Sequence, residues 1–133
     1  MRMWMIPPEQ LCNKHLLGEH GEIHKFRPSF VKGVRIDGRI KPVVQIEPAS
    51  MKARHDELTA EMERRFKKKY DSPYEQPDLS GYPPELASAK VDPSRSRFDL
   101  MMRCPACLSR IIASAGGNVK EIPVLAPYGS NTK

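Results

Sequence analysis

No apolar run in the 133 residues approaches the roughly 20 that a helix needs to cross a bilayer, which excludes a membrane-spanning segment. The opening stretch Met1-Arg2-Met3-Trp4-Met5-Ile6-Pro7-Pro8 is too soon broken by proline to form a signal-peptide core, so export by that route is not expected. Cysteine is scarce and odd in number, three in all, which excludes a fully paired disulfide framework and fits a reducing cytoplasm. Internal repeats and low-complexity tracts are lacking, so a repeat architecture is excluded as well.

The chain does have charge and proline. Lys and Arg outnumber Asp and Glu by 22 to 16, a net charge of +6, and the cations crowd into the run Arg64-Arg65-Phe66-Lys67-Lys68-Lys69. That balance suits a partner that is a polyanion, nucleic acid first, although a solvated basic surface carries the same signature. Hydrophobic residues make up 39% of the chain, and its length fits one domain with a modest core. Thirteen prolines favour short helices joined by irregular, extended loops.

Pro7-Pro8 followed by Glu9 reads as a helix entrance, and Leu11, His15, Leu16, Glu19, His20 and Ile23 then recur at helical spacing. A first helix is expected over residues 8–25, ended at Arg27 by Pro28. Residues 33–47 carry Asp37-Gly38 between branched apolar residues, a loop or a weak hairpin. After Pro48, the series Met51, His55, Leu58, Met62 and Phe66 predicts a second helix over 48–69. The proline-rich residues 70–93 read as an extended surface connection. A third, shorter helix is expected to start after Asp92-Pro93-Ser94 and to run through Phe98, Leu100, Met101 and Met102.

Two sets of side chains carry metal-ligand chemistry. Cys104 and Cys107 form a C-x-x-C with an internal proline, half of a zinc knuckle. A second C-x-x-C is lacking, so Cys12 and a histidine complete four ligands only if the first and third helices pack together. A redox pair and plain reduced thiols are the alternatives. His15, His20 and His24 sit four or five apart, and i, i+4 histidines can share a zinc, although core packing or DNA contact is the preferred explanation of them.

Arg2, Leu11, His15-Leu16, Glu19, Glu22 and Lys25 align without a gap to a known pattern. Arg54, Glu57-Leu58, Ala60-Glu61, Arg64 or Arg65, and Phe66 continue it, and Ser96-Arg97-Phe98-Asp99 is similar to its C-terminal helix start. On these residues the chain resembles the phage pyrimidine-dimer DNA glycosylases of the endonuclease V type. The resemblance implies an α-amine nucleophile, here that of Met1, partnered by a helix glutamate, here Glu22. The amine attacks C1′ of the damaged nucleotide, expels the base and holds the sugar as an imine that undergoes β-elimination. No cofactor is required, although a structural zinc at Cys104 and Cys107 is compatible. An α-amine with an ordinary pKa of about 8 is partly neutral near physiological pH, and a neighbouring Arg2 lowers it further. Glu22 would stabilise positive charge at the sugar and move protons during elimination. Arg2, His15, Lys25, Arg54, Arg64, Arg65 and Arg97 are the residues expected to contact damaged double-stranded DNA.

Two positions depart from the family pattern. Gly21 stands where the family has an arginine that grips DNA, and Arg103 to Leu108 replaces an aromatic-rich segment that contacts the lesion. These departures motivate a non-catalytic DNA-binding or virion-associated protein on the same scaffold as an alternative, and a small zinc-stabilised interaction module as a third. Periodicity and resemblance together give an all-α fold. It is expected as a single compact, monomeric domain of about three helices with long irregular loops over residues 1–115, followed by a tail over 116–133. The family's usual setting implies the cytoplasm of a bacterial or phage-infected cell.

Overall fold

In the computed structural model, which describes residues 2–114, the first long helix starts and ends later than its periodicity suggests. Pro8–Gln10 forms only a single 3₁₀ turn, and Leu11 is extended. Helix α1 spans Asn13–Val31, with Cys12 as its cap: the Cys12 sulfur accepts the His15 N–H. Pro28 does not stop it. Proline deletes one hydrogen bond near the helix end, and burial of Phe30 against Phe26 and Tyr82 offsets that loss. Termination comes at Gly33, whose φ of 72° admits a left-handed turn. There the Val34 N–H bonds to the Ser29 carbonyl and the Gly33 N–H to the Phe30 carbonyl, so the last turn is closed.

Helix α2 (Met51–Phe66) is the expected second helix, shortened at both ends by a Pro48–Ser50 turn and by Lys67, which has a φ of 54°. Lys67, Lys68 and Lys69 therefore lie beyond the helix. Residues 33–47 take the loop alternative: Asp37–Arg39 closes a 3₁₀ turn, and Ile36, Ile40 and Ile46 turn into the core instead of pairing as strands. The 70–93 connection is more than a surface strap. Its Tyr74, Leu86 and Val91 are buried, Gln76 accepts the Lys52 N–H at the start of α2, and a single helical turn forms at α3 (Pro84–Ala87).

Helix α4 (Pro93–Arg103) begins where expected, because the Asp92 carboxylate accepts the Ser94 N–H at 3.0 Å. Cys104 is extended, as a residue before proline should be, and Pro105 opens a further helix, α5 (Pro105–Ser114), that periodicity did not reveal. The fold is all-α, with no strand among the described residues, and five helices replace the expected three. The expected tail over 116–133 lies outside the described residues. One hydrophobic core runs from Met3 and Leu11 through Leu16, Ile23 and Leu58 to Leu100 and Ile111.

Across this core α1 and α2 are joined by an ion pair. Arg54 donates to both oxygens of Glu19 at 2.7 and 3.0 Å, and a further N–H bonds to the Ile6 carbonyl at 2.7 Å. Arg54 is 2% and Glu19 2% exposed. Burial pushes the Glu19 carboxyl up, while Arg54 and the backbone N–H groups of Trp4 and Met5 pull it down. With a guanidinium that keeps its proton and two short N–H···O bonds, the charged pair is the form that fits. Arg54→Ala or Glu19→Ala strands a buried charge and is expected to cost about 3–5 kcal/mol. The measurement is urea unfolding, in which replacing both partners with Met and Leu should cost less than either single change.

Candidate active site

The N-terminal segment is pinned before the helices begin. Met3 is fully buried and donates its N–H to the Gln45 carbonyl at 2.8 Å, and Gln45 in turn donates its N–H to the Arg39 carbonyl. Arg2 therefore emerges beside α1. Its guanidinium lies 4.3 Å over the Trp4 ring and bonds to Asp99 of α4 at 2.7 Å. Met1, the residue expected to supply the nucleophile, lies outside the described residues.

Arg2 borders a cleft of about 450 Å³ whose walls also include Trp4, His15, Gly18, Glu22, Arg39, Gln45 and Arg103. Glu22 comes from one turn of α1 beyond Gly18, so both share the face that the cleft exposes. Three arginines line the same cleft as this carboxylate, a setting suited to a polyanion presented to an acid. A smaller cavity of about 220 Å³, bounded by Lys90, Arg95 and Ser96, shares Arg2 as its wall. Arg39 and Arg103 were not among the expected contacts. They come from a loop and from the end of α4, and only folding brings them to Glu22.

The expected cations divide by burial. Lys25 and Arg64 are exposed, although Arg64 also pairs with Glu61. Arg65 bonds to Glu61, Asn13 and the Pro8 carbonyl, and Arg97 bonds to Gln10 at 3.0 Å, so both tie elements together. Arg54 departs furthest from expectation: buried in its pair with Glu19, it has no surface to offer a phosphate. Gly21 is open, and a Cβ built there meets nothing within 4 Å.

His15 borders the cleft with one side of its ring, edge-on to Trp4 at 5.7 Å, and turns Nδ1 the other way. That nitrogen lies 3.2 Å from the Cys12 sulfur and 3.4 Å from that of Cys107, and the Cys12 and Cys104 sulfurs are 3.8 Å apart. All four ligand atoms lie within 4.8 Å of one another. A tetrahedral zinc with bonds of about 2.3 Å to sulfur separates two sulfurs by roughly 3.8 Å, so the donor set has the size of a zinc shell. Backbone N–H groups of Cys12, His15 and Cys107 each point at a cluster sulfur, as suits sulfurs carrying negative charge. Burial pushes the Cys107 thiol up to about 12. Burial acts upward on Cys104 too, but hydrogen bonds from Cys107 and Cys12 outweigh it and lower that thiol. The cluster can bind a metal. The packing takes a different form from the one expected: α5, which periodicity did not reveal, supplies Cys107, and its joint with α4 supplies Cys104.

His20 and His24 do not join His15. They turn to the opposite side of α1 and meet His55 of α2, with ring centroids 4.8 and 4.6 Å from that of His55. Burial, aided by the neighbouring imidazoles, pulls His20 down to about 4 and lowers His24.

No curated protein and no solved structure matches the chain. A family model described as pyrimidine dimer DNA glycosylase matches residues 1–73. The matched residues hold α1, α2, Arg2 and Glu22, the framework of the cleft, and leave out α4 and α5, which bring Arg103 and the two C-terminal cysteines. With more than half of its length covered by that match, the chain belongs to the pyrimidine dimer DNA glycosylase family.

Proposed function

We propose that this protein is a glycosylase with abasic-site lyase activity on damaged duplex DNA, pyrimidine dimers first, working through the α-amine of Met1. The observation that carries the reading is the cleft in which Glu22 stands among Arg2, Arg39 and Arg103, beside the segment that leads from Met1. Met3, held to Gln45, leads the described chain through Arg2 to the wall of that cleft.

In this reaction the neutral amine forms a bond to C1′ as the glycosidic bond to the base breaks, and the base leaves with the bonding pair and takes up a proton. Glu22 stabilises the positive charge that develops at the sugar, accepts a proton from the newly bonded nitrogen and returns one to O4′ as the ring opens to the imine. Removal of a C2′ proton then expels the 3′ phosphate by β-elimination. Arg2, Arg39 and Arg103 hold the flanking phosphates, and Lys25 and Arg64 extend the contact along the duplex. A base in the duplex shields its sugar carbon, so the DNA must be kinked or the nucleotide turned outward before attack.

A structural zinc fits the Cys12, His15, Cys104 and Cys107 donor set, and in this reading it fastens α5 to the start of α1 and fixes Arg103 at the cleft. Cys107→Ser is expected to bind one zinc fewer per chain than the unchanged protein and to melt at a lower temperature. Metal analysis and thermal unfolding check both.

Borohydride reduction of the protein mixed with duplex DNA containing one abasic site should yield a covalent adduct that maps to Met1. Glu22→Gln should lower strand cleavage by about 10²–10⁴-fold, the usual contribution of a positioned acid or base. No adduct from protein whose Met1 amine is free by mass spectrometry would sink the enzyme reading and leave a non-catalytic DNA-binding protein. Gly21→Arg places a cation beside Glu22 at a position with room for it. It should stabilise the helix by about 1 kcal/mol and steepen the salt dependence of DNA binding by roughly one phosphate contact. Denaturant titration and fluorescence anisotropy at several salt concentrations measure the two effects.

A further inference from the structure

All four histidines and all three cysteines of the chain fall into two clusters, and only one of these borders the cleft. We propose that the other, His20, His24 and His55 with Ser72, is a second metal site, for a divalent first-row transition ion of the zinc class. It stands independently of the glycosylase reading and of the cysteine cluster.

The donor atoms already form a shell of the right size. The Nε2 atoms of His24 and His55 are 2.9 Å apart, and the Ser72 hydroxyl lies 2.9, 3.1 and 3.4 Å from Nε2 of His24, His55 and His20. The three histidine ligand atoms lie within 4.8 Å of one another. Zinc bonds to nitrogen of about 2.0–2.1 Å require tetrahedral edges of roughly 3.3 Å, close to the 2.9 Å between His24 and His55 and to the three distances from the Ser72 hydroxyl. Three imidazoles leave a fourth position, which the Ser72 hydroxyl fills.

The surroundings orient the rings for that task. Asp56 lies 2.9 Å from Nδ1 of His55, so the carboxylate takes the Nδ1 proton as a hydrogen bond and leaves a lone pair on Nε2, aimed at the other two rings. A carboxylate behind a ligating histidine is the usual means of fixing its tautomer. Tyr74 stacks on His55 at 4.9 Å and meets His24 edge-on at 5.3 Å, which holds both rings in place. No Asp or Glu side chain enters the donor set, so the site is built of neutral imidazoles. Such a site suits zinc, copper or nickel rather than magnesium or calcium. Its ligands come from α1, α2 and the connection after α2, so a bound ion would tie all three.

The test uses the full-length, untagged chain, stripped with chelator, saturated with zinc and separated from free metal, with content read by elemental analysis. Two zinc ions per chain are expected, falling to one in His20→Asn/His24→Asn and to one in Cys104→Ser/Cys107→Ser. Cobalt loaded into the cysteine double variant should give visible absorption without sulfur charge-transfer bands, as nitrogen and oxygen ligands require. Circular dichroism establishes that each variant is folded. The proposal is overturned if the folded cysteine double variant holds no zinc, or if the folded histidine double variant holds as many zinc ions as the unchanged protein. Loss of metal confined to the cysteine variant would count against this site and leave the cysteine cluster standing.

Discussion

The Glu19–Arg54 pair is the constraint on which the rest of the molecule depends. A charge buried this deeply is tolerated only when its partner is fixed, and here the partner is fixed from three directions. Glu19 accepts from Arg54 and from the backbone of Trp4 and Met5, and Arg54 also reaches the Ile6 carbonyl and Glu57. One ion pair thus orders the N-terminal segment, α1 and α2 together. The cleft draws Arg2 from the first and Glu22 from the second, and the third supplies the arginine that ties these two together.

The C-terminal third is fastened in two ways. Helices α4 and α5 add Leu100, Met101, Cys107 and Ile111 to the core, and they also reach the N-terminal segment through polar and sulfur contacts: Arg2 with Asp99, Arg97 with Gln10, and Cys12 with Cys107. The region beyond the family match therefore shares the core of the matched region and adds these contacts to it. Arg103 sits on a helix outside the match yet in the wall of the cleft.

What the sequence disclosed follows from the range of the forces involved. Helix α2 was legible because its apolar residues recur within one uninterrupted stretch, and α4 because Asp92 and Pro93 mark its start locally. Pro28 misled, because a local rule lost to the burial of Phe30. Helix α5 was hidden by its brevity and by the proline that opens it. At the site, Glu22 was reachable through the family pattern, and the cysteine cluster was reachable as a set of ligands but not through the helix that brings Cys107 to Cys12. Arg54 reads in sequence as one more surface cation, since nothing local distinguishes an arginine whose carboxylate lies 35 residues away. Arg39, Arg103 and His55 were missed for the same reason: each acquires its neighbours only through contacts distant in the chain.

One helix carries side chains to opposite destinations. Along α1 each residue advances by about 100° around the axis, so Glu22 and His15 look toward the cleft while His20 and His24, nearly half a revolution away, look toward α2. Glu19 lies between them in sequence and is clamped by Arg54. The rotational phase of α1 is therefore a single coordinate shared by the acid, by the cysteine cluster's histidine and by the histidine trio. A slip of one residue would misalign all three at once, so α1 behaves as a keyed shaft, with the carboxylate of Glu19 as the key.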